Sequence, residues 1–169
     1  TRQIRLEQPA MLSPIFAQLR RGPGDPTHRW LGDIRLRATR TPAGPVLIKI
    51  LANGTQVSAR AWGEGAEWSL DQLPRLLGAA DDPSAFRPRP DHAPLVEAWQ
   101  RYGHYRVGRT EAVFEALAPA CIEQVVTGKE AFRAWRLLVR EFGEPAPGPA
   151  LDALGAGDGD PVLPYRLRS

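Results

Sequence analysis

Apolar and polar positions alternate at both ends of the first 60 residues. Ile4 and Leu6 alternate with Arg5 and Glu7, the period-two pattern of a short strand. A helix follows: Ser13 is its expected cap, Pro14 fits the first turn, Ile15, Phe16 and Leu19 form an apolar side, and Gly22 ends it. Ile34, Leu36 and Ala38 then alternate with Arg35, Arg37 and Thr39. The turn Thr41-Pro42-Ala43-Gly44-Pro45 leads into the more continuously apolar run from Val46 to Leu51. Asn53-Gly54 marks a hairpin, after which Val57, Ala59 and Ala61 alternate with Ser58, Arg60 and Trp62. Strands joined by such short turns are expected to pair antiparallel.

Beyond Trp62 the period changes to that of helices. Ala66, Leu70, Leu73 and Leu77 repeat at helical spacing and Gly78 closes the segment; Pro74 inside it predicts a kink or two shorter pieces. Asp81 to Pro90 reads as a proline-rich loop, and Asp91 as the cap of a helix carrying Leu95, Val96, Trp99 and Tyr102, stopped by Gly103. A long helix is expected from Thr110 to about Val126, burying Val113, Phe114, Leu117, Cys121, Ile122 and Val125. The next begins at Thr127-Gly128-Lys129-Glu130, which fits a capping box, and buries Ala131, Phe132, Trp135, Leu138, Val139 and Phe142. Strands first and helices second give an α+β unit, residues 1–104, followed by the start of an all-α unit, residues 105–148. Residues 149–169 are low in complexity and read as a linker or disordered tail.

Composition narrows the chemistry. A chain of 169 residues, 43% apolar and 24% charged, is one large domain or two small ones with an ordinary core. The single Cys121 excludes an internal disulfide framework and a cysteine zinc site. On an apolar helix face it is expected to be buried. His28, His92 and His104 lie too far apart in sequence to suggest a metal site, and no cofactor motif is present. Asp81-Asp82-Pro83 reads as a turn, and the five Trp residues as core. Gly155-Ala156-Gly157-Asp158-Gly159 follows no strand and is not read as a nucleotide loop. The net charge is +3, unevenly spread: residues 1–60 hold 10 basic and 3 acidic groups, a net +7. That basic half invites a polyanion partner, although paired charges on a solvated face would look the same. No apolar run is long enough to cross a bilayer and no secretory signal opens the chain, so a cytoplasmic protein without a membrane partner is the default.

One stretch is more specific. The run Ile122-Glu123-Gln124-Val125-Val126-Thr127 is followed by Phe132-Arg133-Ala134-Trp135-Arg136 and by Phe142-Gly143-Glu144-Pro145. Upstream lie Gly24-Asp25-Pro26-Thr27, Arg40-Thr41-Pro42-Ala43-Gly44-Pro45, Trp62-Gly63-Glu64-Gly65-Ala66 and Leu73-Pro74-Arg75-Leu76-Leu77-Gly78. In this order, over about residues 1–149, the pieces resemble the helix-hairpin-helix DNA glycosylase superfamily, in its alkylation-repair, 3-methyladenine branch. The resemblance implies a TATA-binding-protein-like α+β domain followed by the first helices of an all-α glycosylase domain. It implies a metal-free, cofactor-free, monofunctional hydrolase of N-glycosidic bonds in base excision repair. Its partner would be duplex DNA carrying alkylated bases, from which the damaged base is flipped. Gln124, Val125, Val126, Thr127 and Gly128 would be the DNA-binding residues: Val125 as the wedge in the vacated stack, Gln124 bonding neighbouring bases, and the backbone N–H groups of Thr127 and Gly128 meeting a phosphate. The other reading of the same residues is a helix–turn–helix corner with Val125 and Val126 in the core and Thr127 only a cap.

The resemblance also implies parts this sequence does not show. The family's Leu-Pro-Gly-Ile-Gly-like hairpin and the catalytic Asp after it have no counterpart beyond Phe142, and Asp152, Asp158 and Asp160 sit outside any such context. No catalytic residue is assigned, and the chain reads as C-terminally truncated or frame-shifted after about residue 149 and inactive by itself. A complete enzyme would be a monomer; this chain would leave apolar helix faces in 110–142 exposed and self-associate. The alternative is a non-catalytic DNA-binding or scaffold module.

Overall fold

Five strands form one antiparallel sheet: three short turns fold β2 to β5 back and forth, and β1 closes against β5. The computed structural model describes residues 1–149, Leu154 and residues 165–167. Strand β1 (Arg2–Arg5) leads to helix α1 (Leu12–Leu19) and then to β2 (His28–Leu31), β3 (Ile34–Thr41), β4 (Gly44–Asn53) and β5 (Gln56–Trp62). The order across the sheet is β1-β5-β4-β3-β2, with β1 closing antiparallel against β5. The hairpin registers Leu31↔Ile34 and Asn53↔Gln56 leave two residues in each loop, the first a glycine at positive φ, Gly32 and Gly54. That is the geometry that matches strand twist. Helices α2 (Ala66–Leu76), α3 (Ala93–Tyr102), α4 (Val113–Glu123) and α5 (Gly128–Phe142) follow, and β6 (Gly143–Pro145) pairs with β7 (Tyr165–Leu167).

The mixed α+β class and the meander agree with the sequence pattern, and both faces of the central strands are covered. On one face Ile48, Ile50, Val57 and Ala59 pack under Leu12, Ile15 and Phe16 of α1 and Leu73 and Leu76 of α2. On the other, Leu36, Ala38 and Leu47 meet Ala146 and Leu154, with Trp62 at the margin, and Lys49 Nζ donates to the Leu154 carbonyl at 2.8 Å. Burial on two faces explains the continuous apolar run of β4. It also explains why Arg35 and Arg37, the polar partners in the β3 alternation, are buried.

Several local expectations are corrected. Ser13 does not cap α1: it lies inside the helix and accepts a 2.8 Å bond from Arg35 Nη2. Asp91 does not cap α3; its carboxylate is taken by Arg89 at 2.6 Å, and His92 holds the cap position. Pro74 does not divide the segment: α2 is a single helix, and the proline, in its last turn, removes the one bond an N–H there would have made to the Leu70 carbonyl. Strand β2 has no counterpart in the alternation, although Gly32-Asp33 is a hairpin signal. Among the Trp residues Trp135 is buried, and Trp30 and Trp62 are partly buried against the two sheet cores. Within the low-complexity segment, Leu154 is buried and residues 165–167 form β7; the nucleotide-loop-like Gly155–Gly159 and the three late Asp residues lie outside the described residues.

Gly63 (φ +106) links β5 to α2, and a Cβ there would run into the Pro45 carbonyl oxygen and the Pro147 ring. Gly63→Ala is therefore expected to cost at least about 1–3 kcal/mol from the backbone conformation alone. Urea denaturation checks this; an unchanged midpoint would contradict the placement.

Candidate nucleic-acid interface

The candidate site is the corner between α4 and α5, residues 124–128, and each helix reaches it from a polar attachment to the sheet. On α4 the attachment is Glu115. One of its carboxylate oxygens accepts from Arg37 Nη2 at 3.0 Å and from Thr39 Oγ1 at 2.7 Å; the other accepts from the Arg40 N–H at 3.1 Å. Arg37 is buried, so this pair is charge-assisted and largely out of water. Removing one partner would leave the other uncompensated.

On α5 the attachment is Trp135, and its partner is Asp25, a fully buried carboxylate. Asp25 Oδ1 accepts from the Thr27 N–H at 2.9 Å, Thr27 Oγ1 at 2.7 Å and Trp135 Nε1 at 3.2 Å. Oδ2 accepts from the Arg21 N–H at 2.7 Å and lies 3.7 Å from His28 Nδ1. Burial pushes this carboxyl up, but contact with His28 and the Arg21 and Thr27 N–H bonds outweigh it, and its pKa ends well below the ordinary carboxylate value. Asp25 is ionised. The His28 pKa is lowered as well, but for the opposite reason: burial disfavours its charged form and outweighs Asp25 beside it. Thr27 has one hydroxyl proton, which goes to Asp25, so its oxygen accepts from His28 Nδ1–H at 2.8 Å. The opposite ring atom, Nε2, is buried without a hydrogen-bond partner among the described residues, beside a small cavity also lined by Arg37, Glu115 and Trp135.

The loop before Asp25 is shaped to receive α5. A Cβ at Gly22 (φ +78) would meet the Phe132 ring at 2.8 Å, and one at Gly24 would meet Arg136 Cδ at 3.0 Å. Arg21 Nε reaches Glu123 Oε1, at the end of α4, at 3.2 Å. The two attachments and this ion pair fix both arms of the corner against one side of the sheet.

At the corner itself α4 ends at Glu123 and α5 opens with the expected capping box. Thr127 Oγ1 accepts from the Glu130 N–H, and Glu130 Oε2 accepts from the Thr127 N–H at 3.1 Å. The Thr127 hydrogen bonds hold Glu130 below its ordinary pKa, so it stays ionised at the helix start. All five corner residues are exposed, with Val125 at 81% and Val126 at 44%. They are therefore not core residues. Nothing lies within 4 Å of a Cβ built on Gly128.

Burial on α4 differs from expectation. Val113, Phe114, Leu117 and Cys121 point outward, whereas Glu115, Ala118, Pro119 and Ile122 turn inward. The Glu115 bonds set the rotation of the helix, and they outweigh the apolar stripe. The sequence reading also missed Asp25, His28 and Glu115 as braces, and it placed Trp135 only as a buried position of α5. The available signal was a carboxylate in Gly24-Asp25-Pro26-Thr27 immediately before a histidine. Among the described residues no group of acidic, His and Cys side chains could hold a metal, and no helix is long and apolar enough to cross a membrane.

No protein-family model matches the chain, and no curated protein does. Among solved structures, the chain is similar to a 3-methyladenine DNA glycosylase from Archaeoglobus fulgidus, with a TM-score of 0.66 and 20% identity. The match covers 88% of this chain and 53% of that one, so the chain spans about half the length of the structure it resembles. The fold is thus DNA-glycosylase-like.

The Asp25–His28 pair makes the stability acid-sensitive. A neutral buried His28 carries no penalty above the unfolded histidine pKa of about 6.5; as pH falls below it, only the unfolded chain gains the proton readily and stability drops. Asp25 adds a second loss below about pH 4, where the unfolded carboxylate protonates first. Thermal melts from pH 7.5 down to 5 are expected to show a falling midpoint that His28→Asn, which keeps a donor toward Thr27, largely removes. An equal fall in the variant would contradict the assignment.

Proposed function

We propose that the chain comprises the N-terminal α+β unit, residues 1–104, and the opening helices, residues 105–148, of an alkylation-repair DNA glycosylase of the helix-hairpin-helix superfamily. It contacts alkylated duplex DNA through Gln124, Val125, Val126, Thr127 and Gly128. The observation that carries this reading is an apolar Val125 at 81% exposure, on a corner braced from both sides, within a DNA-glycosylase-like fold. An exposed valine held on two attached helices suits a wedge, which gains apolar contact only when a base has left the stack. At the start of α5 the Thr127 N–H is held by Glu130, which leaves the Gly128 N–H, outside the capping box, to meet a phosphate.

The same geometry argues against excision by this chain alone. The carboxylates flanking the corner are committed, Glu123 to Arg21 and Glu130 to the cap. Stabilising a developing positive charge on the sugar requires a carboxylate free to face it. The outward stripe of Val113, Phe114, Leu117 and Cys121 favours self-association of the chain.

Anisotropy with a labelled duplex containing one alkylated purine tests the reading. The chain is expected to bind in a salt-dependent way. Val125→Ser is expected to weaken binding by roughly ten-fold, since burying a valine side chain is worth about 1.5–3 kcal/mol. No methylated purine should be released. Unchanged affinity of the variant would remove the wedge, and release above a protein-free control would overturn the account of the carboxylates.

A further inference from the structure

Helix α3 stands apart from the rest of the fold: none of its residues is buried. A ridge of rings runs along it and its flanks. Phe86 meets Trp99 edge-on with centroids 5.0 Å apart. Trp99 and Tyr102 are three residues apart and so share one side of the helix. Tyr102 meets Tyr105 at 5.5 Å, and Tyr105 meets His104 at 5.1 Å. Phe86, Tyr102 and Tyr105 are 49%, 47% and 39% exposed.

Cations are interleaved with the rings. Residues 84–109 hold five arginines against Asp91 and Glu97. The Arg101 guanidinium lies 5.6 Å from the Tyr102 ring centre. Among the described residues, Arg87, Arg101 and Arg106 have no ion-pair partner, whereas Asp91 is already held by Arg89. Two nearby acids are also occupied: Asp81 accepts from the Val107 N–H at 2.9 Å, and Asp82 accepts from the Ser84 N–H at 2.9 Å while lying near Arg106 and Arg87.

We propose that this ridge binds single-stranded nucleic acid, with unstacked bases on Phe86, Tyr102 and Tyr105 and phosphates against Arg87, Arg101 and Arg106. Ring faces stack only on bases that are not already stacked, which selects a single strand over a duplex. A membrane-surface helix separates its charged face from its apolar face. Here Arg101 lies against the ring of Tyr102, so charge and aromatic surface share one side. The proposal does not use the 124–128 corner and stands apart from the glycosylase reading.

The test is anisotropy of the full chain with a labelled oligothymidylate of about 12 nucleotides, within the usual span of such sites. Vesicles of phosphatidylglycerol serve as the competing surface. Salt-dependent binding is expected. Tyr102→Ala with Tyr105→Ala should weaken it by at least about ten-fold, and Arg101→Gln with Arg106→Gln should reduce the salt slope by roughly 1.4. Amide shift mapping on the unaltered chain, which needs no variant to fold, should place the perturbed residues within 86–109. No binding to the oligonucleotide, tighter binding to the vesicles, shifts mapping elsewhere, or double variants that bind like the parent would each overturn the proposal.

Discussion

The placement of α5 depends on one buried carboxylate. Asp25 has no exposed surface, yet it remains ionised because backbone and side-chain donors surround it. One of those donors, Trp135 Nε1, belongs to a helix 110 residues further along. A buried carboxylate without such donors would be far too costly to keep charged. The fold therefore gains by bringing α5 to Asp25 in one orientation, and a slipped or rotated α5 would lose the indole bond. Apolar contact alone would specify that orientation less sharply, since it is not directional.

Glu115 acts the same way on α4, against Arg37 and Thr39. The two attachments lie close together: His28 and Arg37 line the same small cavity as Glu115 and Trp135. The corner at 124–128 is thus presented by helices whose rotation is set by directional bonds. This explains how Val125 and Val126 can face solvent while polar side chains are buried beneath. It also explains the outward apolar stripe on α4. A helix turned to bury Phe114 and Leu117 would withdraw Glu115 and leave Arg37 unpaired.

Much of the architecture was legible in the residues. Alternation marked β3 and β5, the continuous run marked β4, and Thr127 with Glu130 marked the start of α5, because these signals are local and governed by strand or helix period. What failed to show was long-range. Ser13 looked like a cap, but Arg35, 22 residues away, uses its hydroxyl. Arg37 showed only as a polar position in an alternation, but Glu115, 78 residues away, lies over it. Cys121 and Leu117 looked buried, because periodicity reports that a helix is amphipathic without saying which face another element will choose. The corner residues themselves were singled out by resemblance, whereas the groups that brace them, Asp25 and Trp135, are joined only by the fold.

The most direct measurement is amide hydrogen exchange on Asp25→Asn, which keeps the shape at position 25 and removes the charge. In this variant α5 and the 124–128 corner are expected to exchange markedly faster while the β3, β4 and β5 amides keep their protection. Unchanged protection of α5 would contradict the claim that Asp25 holds the corner in place, as would uniform loss across the sheet and helices.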